Sequence, residues 1–204
     1  GMQALDQAQL TVFSDSLLIH TPIGAGREVM LAGLGWVQAQ GGTAIADHLW
    51  TSLKLLESRQ GRRVAVLLSD GVDTHSVLRM SAVLGAARRS RALVYWIRLV
   101  RPQDDMDAPH EVRISSAWRG PADYRQQRAV LEQLVTESGG RVIDVRSPAG
   151  IERVFLAILE ELREQYVIGY YPTTRRNDGR WHDVDVKVDR GGIELRAASG
   201  YIDY

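Results

Sequence analysis

Two short stretches carry the side chains best suited to chemistry, and both offer hard oxygen donors. The first is Ser69-Asp70-Gly71, continued by Val72-Asp73-Thr74-His75, directly after the apolar run Val64-Ala65-Val66-Leu67-Leu68. A carboxylate leaving a central strand, followed by a glycine that frees the backbone, suits a metal ion or a phosphate-bearing cofactor; the same tripeptide also reads as a solvated turn. The second is Gly41-Gly42-Thr43-Ala44. Here Thr43 sets a hydroxyl where it can cap a helix whose apolar positions are Ile45, Leu49, Leu53 and Leu56.

Other chemistries find less support. The five histidines, at 20, 48, 75, 110 and 182, show no H-x-x-x-H or H-E-x-x-H spacing for a catalytic zinc. Ser69 lacks the G-x-S-x-G context of a nucleophile elbow, and Gly24-Ala25-Gly26 is not a phosphate loop. Asp104, Asp105 and Asp107 lack the glycine and glutamate that complete an EF-hand and read as a hydrated acidic loop. Trp36, Trp50, Trp96 and Trp181 each sit in an expected element and read as packing residues.

The elements that must position these residues follow from periodicity. Residues 9–23 read as two short strands around the turn Ser14-Asp15-Ser16, and 27–38 as a helix weakened by Gly33 and Gly35. Continuous apolar runs at 64–69 and 92–98, and a strand at 141–145, are those of a parallel sheet buried on both faces. Helices are expected over 76–88, 122–138 and 150–163 between and after them, with an irregular insertion at 101–121. The tail then changes character. Residues 165–171, 181–188 and 193–197 read as three strands of an antiparallel meander, the middle one alternating apolar and charged residues. The fold class is therefore α/β, a doubly wound, mostly parallel Rossmann-like sheet with a C-terminal antiparallel β extension. In such sheets ligands bind beyond the carboxyl ends of the strands, which is where Ser69-Asp70-Gly71 stands.

Composition bounds the function. At 204 residues and roughly 150 per domain, the chain holds one large domain or one domain with an appendage. Twenty-five basic residues balance twenty-five acidic ones, so no global field draws it to nucleic acid or an anionic membrane. The absence of cysteine removes disulfides, thiol catalysis and thiolate zinc sites. No apolar stretch reaches the roughly 18 residues of a membrane span. Gly1 ahead of Met2 reads as a tag-cleavage scar, and the chain as part of a longer protein.

Together, Gly41-Gly42-Thr43-Ala44, Leu67-Leu68-Ser69-Asp70-Gly71-Val72-Asp73-Thr74, Gly139-Gly140-Arg141, Leu162-Arg163-Glu164-Gln165-Tyr166, Gly169-Tyr170-Tyr171-Pro172 and Gly200-Tyr201 resemble the bacterial branch of the von Willebrand factor type A domain. The resemblance covers nearly the whole chain. It implies that Thr43 corresponds to the threonine ligand of a metal-ion-dependent adhesion site and Asp70 to the aspartate ending the fourth strand. Gly42, Ser69, Gly71, Asp73 and His75 would then be the neighbours that contact a ligand. Magnesium is the cation implied, and one open coordination position would receive an acidic side chain of a protein partner.

One departure matters. The family's Asp-x-Ser-x-Ser motif is missing, and Ser14-Asp15-Ser16, in a hairpin turn, does not replace it. The expected organisation is thus a von Willebrand A-like domain over 1–164 without its first strand, and a meander over 165–204 packed on it. The expected function is non-enzymatic protein binding, with a metal site too incomplete to hold magnesium and an extracytoplasmic address. The alternatives are an α/β hydrolase or phosphotransferase using Asp70, and a purely structural fragment. A missing first strand leaves a sheet edge unpaired, so either the 9–23 hairpin pairs with strand 64–69 or a second copy completes the sheet.

Overall fold

The computed structural model describes residues 6–35, 37–100, 120–174 and 176–204. Trp36 and most of the acidic insertion, with Asp104, Asp105 and Asp107, lie outside the described residues. The apolar runs form the central sheet, because only strands buried on both faces tolerate such continuous apolar sequence. Strands β3 (Val64–Ser69), β4 (Leu93–Leu99) and β5 (Val142–Val145) pair in parallel in the order β3-β4-β5. Val64 lies opposite Leu93 and Ser69 opposite Arg98, while Trp96 lies opposite Val142.

Alternation along these strands splits the core in two. Leu67, Val94 and Trp96 face α2 (Ile45–Glu57), α3 (Met80–Ser90) and α4 (Pro121–Glu137), burying Leu49, Leu53, Val83, Leu131 and Leu134 with them. Tyr95, Ile97 and Val145 face the opposite way, onto Ile158 of α5 (Ile151–Glu164). The Tyr95 hydroxyl donates to Glu161 at 2.6 Å. Burial, reinforced by that carboxylate, pushes the phenol up to about 12.

The chain before the sheet forms a hairpin, β1 (Thr11–Phe13) with β2 (Leu17–His20), followed by α1 (Arg27–Leu34). The hairpin is a sheet of its own and does not pair with β3, contrary to the first of the two expected repairs. Its turn is captured elsewhere: the Ala44 N–H donates to the Ser14 carbonyl at 2.8 Å, and Phe13 packs on His48 of α2 with ring centroids 4.7 Å apart. The expected helix from 76 begins only at Met80. Residues 76–78 are held out of it by side chains, since Ser76 N–H donates to Asp73 and the Val77 and Leu78 N–H groups donate to Asp47.

The tail forms two short strands where a three-stranded meander is expected, β6 (Trp181–Asp183) and β7 (Gly200–Ile202). Residues 165–171 and 193–197 are in no strand. Local anchors explain the choice of 200–202. Ser199 N–H donates to the Glu137 carbonyl at 3.0 Å, and the Asp203 carboxylate accepts from Arg176 and Asn177 N–H at 2.6 and 3.1 Å. The Arg88 guanidinium also sits over the Trp181 ring, 4.6 Å from its centroid. Among the described residues no helix is long and apolar enough to cross a membrane.

Candidate functional site

The site is a clasp between three loops at the carboxyl end of β3. Ser69 closes the strand with its carbonyl accepting the Trp96 indole N–H at 3.0 Å and its hydroxyl accepting Gly71 N–H at 3.1 Å. Gly71 has φ +84° with the Trp96 ring against its Cα, so any side chain there would meet both backbone strain and the indole. Asp70 Oδ1 accepts Val72 N–H at 3.0 Å, an Asx turn that bends the chain away from the sheet.

The next residues grip the start of α2. Asp73, 7% exposed, accepts from Ala46 N–H at 2.8 Å, Ser76 N–H at 3.0 Å and the Ser76 hydroxyl at 2.6 Å. It therefore supplies the α2 N-terminus with the acceptor expected from Thr43, whose side chain makes no capping bond. The helix begins after Ala44, which leaves Thr43 one residue too early to reach the first orphan N–H groups. Thr43 contributes through its backbone instead. Its carbonyl accepts Thr74 and His75 N–H at 2.8 and 2.9 Å, and its N–H donates to the Thr74 hydroxyl at 2.8 Å.

Gly41 and Gly42 make this close approach feasible. Gly41, at φ +72°, lies against the Asp15 carboxylate, and Gly42 lies against His75 Nδ1 and the Thr74 hydroxyl. The Ser14 hydroxyl and, more weakly, the charge of His75 hold the Asp15 carboxyl below its ordinary value. Thr74 Oγ is 2.9 Å from His75 Nδ1. The structure thus brings Gly42, Thr43, Asp73 and His75 into one network and sets Ser69, Asp70 and Gly71 at its base. Asp15, Thr74, Ser76 and Asp47 are the site residues that spacing did not single out. Asp73-x-x-Ser76, a capping-type motif, was the available signal for one pair.

This donor set does not fit magnesium. A magnesium site needs near-octahedral oxygen ligation, and among the described residues no group of three or more His, Asp or Glu side chains stands together as metal ligands. Asp73 spends its lone pairs on α2 and Ser76, and Asp70 spends one oxygen on Val72. A separate cleft of about 650 Å³ between Arg98, Arg141 and Arg196 is charge-balanced, each guanidinium pairing with a carboxylate of Asp144, Glu132 or Glu161.

No protein-family model and no curated protein matches the chain. Among solved structures, it is similar to an aerotolerance-related membrane protein from Bacteroides fragilis, a form with multiple mutations to serine. That likeness has 18% identity and a TM-score of 0.52 over 81% of this chain and 82% of that one. An uncharacterised membrane-spanning protein from Vibrio fischeri aligns over 80% of this chain and 78% of its own, with 22% identity and a TM-score of 0.33. The first likeness, together with the parallel β3-β4-β5 sheet between two helical layers, identifies the chain as a Rossmann-like α/β fold.

Proposed function

We propose that this chain is a non-enzymatic protein-binding module of the von Willebrand factor A type, presenting Thr43, Asp70 and His75 at the carboxyl end of the sheet. The observation that carries this reading is the clasp itself. Loop 70–76 is tied to Gly41–Thr43 and to the α2 N-terminus, the Asp73 carboxylate accepting Ala46 N–H, the Thr74 hydroxyl accepting Thr43 N–H and the Thr43 carbonyl accepting Thr74 and His75 N–H. Such a rigid display of small and polar groups at the strand ends suits recognition of a protein loop. The partner class is a protein, and the compartment is extracytoplasmic, in keeping with the membrane protein from Bacteroides fragilis that shares the fold.

Two measurements test the reading. Titration calorimetry with magnesium should show no saturable binding below about 1 mM, because two neutral or singly charged donors do not repay dehydration of the ion. Tight binding would mean that other residues complete an adhesion site. Phosphate-ester and carboxylic-ester substrates should show no turnover above the uncatalysed rate. Turnover that Asp70→Ala abolishes would replace the binding module with a hydrolase.

A further inference from the structure

We propose that the outer edge of β3 receives a strand from a second copy of this chain, and that the strand is Tyr166–Tyr171. This goes beyond the binding surface described above and does not depend on it.

The acceptor is defined by the ladder. Leu93 N–H donates to the Arg63 carbonyl, so in the parallel pairing the peptide groups of residues 63, 65, 67 and 69 point to β4. Those of Val64, Val66 and Leu68 therefore point outward, and they bond to no other described residue. Three N–H and three C=O groups stand in line on a six-residue strand with no charge, proline or bulge to protect it. Leu68 is 41% exposed, and Val64 and Val66 are half-buried, which is not how strands of this composition rest in a finished sheet.

The donor has the complementary character. Tyr166-Val167-Ile168-Gly169-Tyr170-Tyr171 is six residues long, uncharged and β-prone, and Pro172 ends it. It lies outside any strand, with Tyr166 94% and Ile168 77% exposed. The backbone groups of residues 166–170 bond to no other described residue. An apolar segment of this size left in water is an unmet interaction.

Its own β3 is not the strand it meets. Arg62 holds the Leu162 carbonyl and Gln165 at the amino end of β3. Tyr170 is already against the Tyr201 ring, 6.0 Å centroid to centroid, beside β7. Tied at both ends, the segment leads from the base of β3 toward β7, not along the open edge. A second molecule removes that constraint, and strand addition then satisfies the outward groups of Val64, Val66 and Leu68 while covering the exposed apolar side chains. The contact joins two different surfaces, so it builds either a reciprocal pair or a longer chain of copies.

Because the protein has no cysteine, single cysteines report the pairing directly. Val66→Cys chains mixed with Ile168→Cys or Val167→Cys chains, which alternate faces, should form a mixed disulfide on mild oxidation with at least one donor position. Neither kind should cross-link comparably with itself. Sedimentation equilibrium should show association of the unmodified chain that Ile168→Lys, at an exposed site harmless to the fold, weakens at least tenfold. A strict monomer up to about 1 mM, the range of the weakest specific contacts, would overturn the proposal. Efficient Val66–Val66 cross-linking would overturn it in favour of edge-to-edge pairing of two β3 strands, and association unaffected by Ile168→Lys would place the contact elsewhere.

Discussion

Asp73 does more for the candidate site than any residue around it. Its buried carboxylate is the acceptor for the α2 N-terminus and for Ser76, so Asp73→Ala strands three donors at once. Unmet buried donors cost on the order of 2 kcal/mol, and chemical denaturation should show that loss, with Asp73→Asn recovering part of it. His48 carries a second expectation. Burial depresses its imidazole below the ordinary 6.5, against the opposing charges of Asp47 and Asp73, and its buried Nε2 finds no hydrogen-bond partner among the described residues, with Phe13 packed on the ring. The neutral form fits the fold, so its contribution is full above 6.5 and is lost as pH falls from there through the folded value. Stability should drop as pH falls below about 6.5, and thermal melts of His48→Phe should lack that part of the slope. Of the site, the sequence disclosed which stretches meet, Gly41–Thr43 and Ser69–His75, because strand ends and helix starts are local signals. It did not disclose who bonds whom. The Thr43 hydroxyl was expected at the helix cap, yet the cap comes from Asp73, 27 residues downstream of Ala46. No local pattern encodes a partner at that separation.

Among the elements, legibility follows burial. β3 and β4 are legible as continuous apolar runs because each sends side chains into both cores. The tail is an antiparallel extension as its pattern predicts, but with two short strands in place of three, because alternation in Val184–Val188 states that a strand would be half-buried, not that a partner exists. Pairing there was decided by end anchors, Glu137 with Ser199 and Asp203 with Arg176 and Asn177. Limited proteolysis should therefore cut first within 184–196. The piece containing β7 should stay bound to the remainder through α3 and β6, whereas Trp181→Ala, which removes the ring under Arg88, should release it sooner. The seam between α3 and α4 is electrostatic as well. Burial pushes the Glu137 carboxyl up, but hydrogen bonds from Arg88 and Gln133 outweigh it and hold it below its ordinary 4.5. That contribution is complete above 4.5 and disappears as pH falls through the lowered folded value. Glu137→Gln should be less stable than the parent at neutral pH and converge with it in acid, measured by urea midpoints.

At the scale of the molecule, a three-stranded parallel sheet sits between an upper layer of α2, α3 and α4 and a lower layer of α5 alone. The upper core is the larger of the two, so large-to-small substitution at Leu53 or Leu134, both fully buried there, should cost about 2–5 kcal/mol. Substitution at Phe155, 37% exposed on α5, should cost far less in the same denaturation experiment. The tethers that close this body also set its tempo. Arg91 reaches the Ile202 carbonyl across 111 residues, and Arg62 reaches Leu162 across 100. Each such bond closes a long loop before anything rewards it, and chains rich in distant contacts fold in milliseconds to seconds. The sheet and its helices should thus assemble in an early kinetic phase while Trp181 is still solvated. Docking of β6 and β7 onto α3 then follows as a separate, slower change in tryptophan fluorescence, absent from refolding traces of Trp181→Phe.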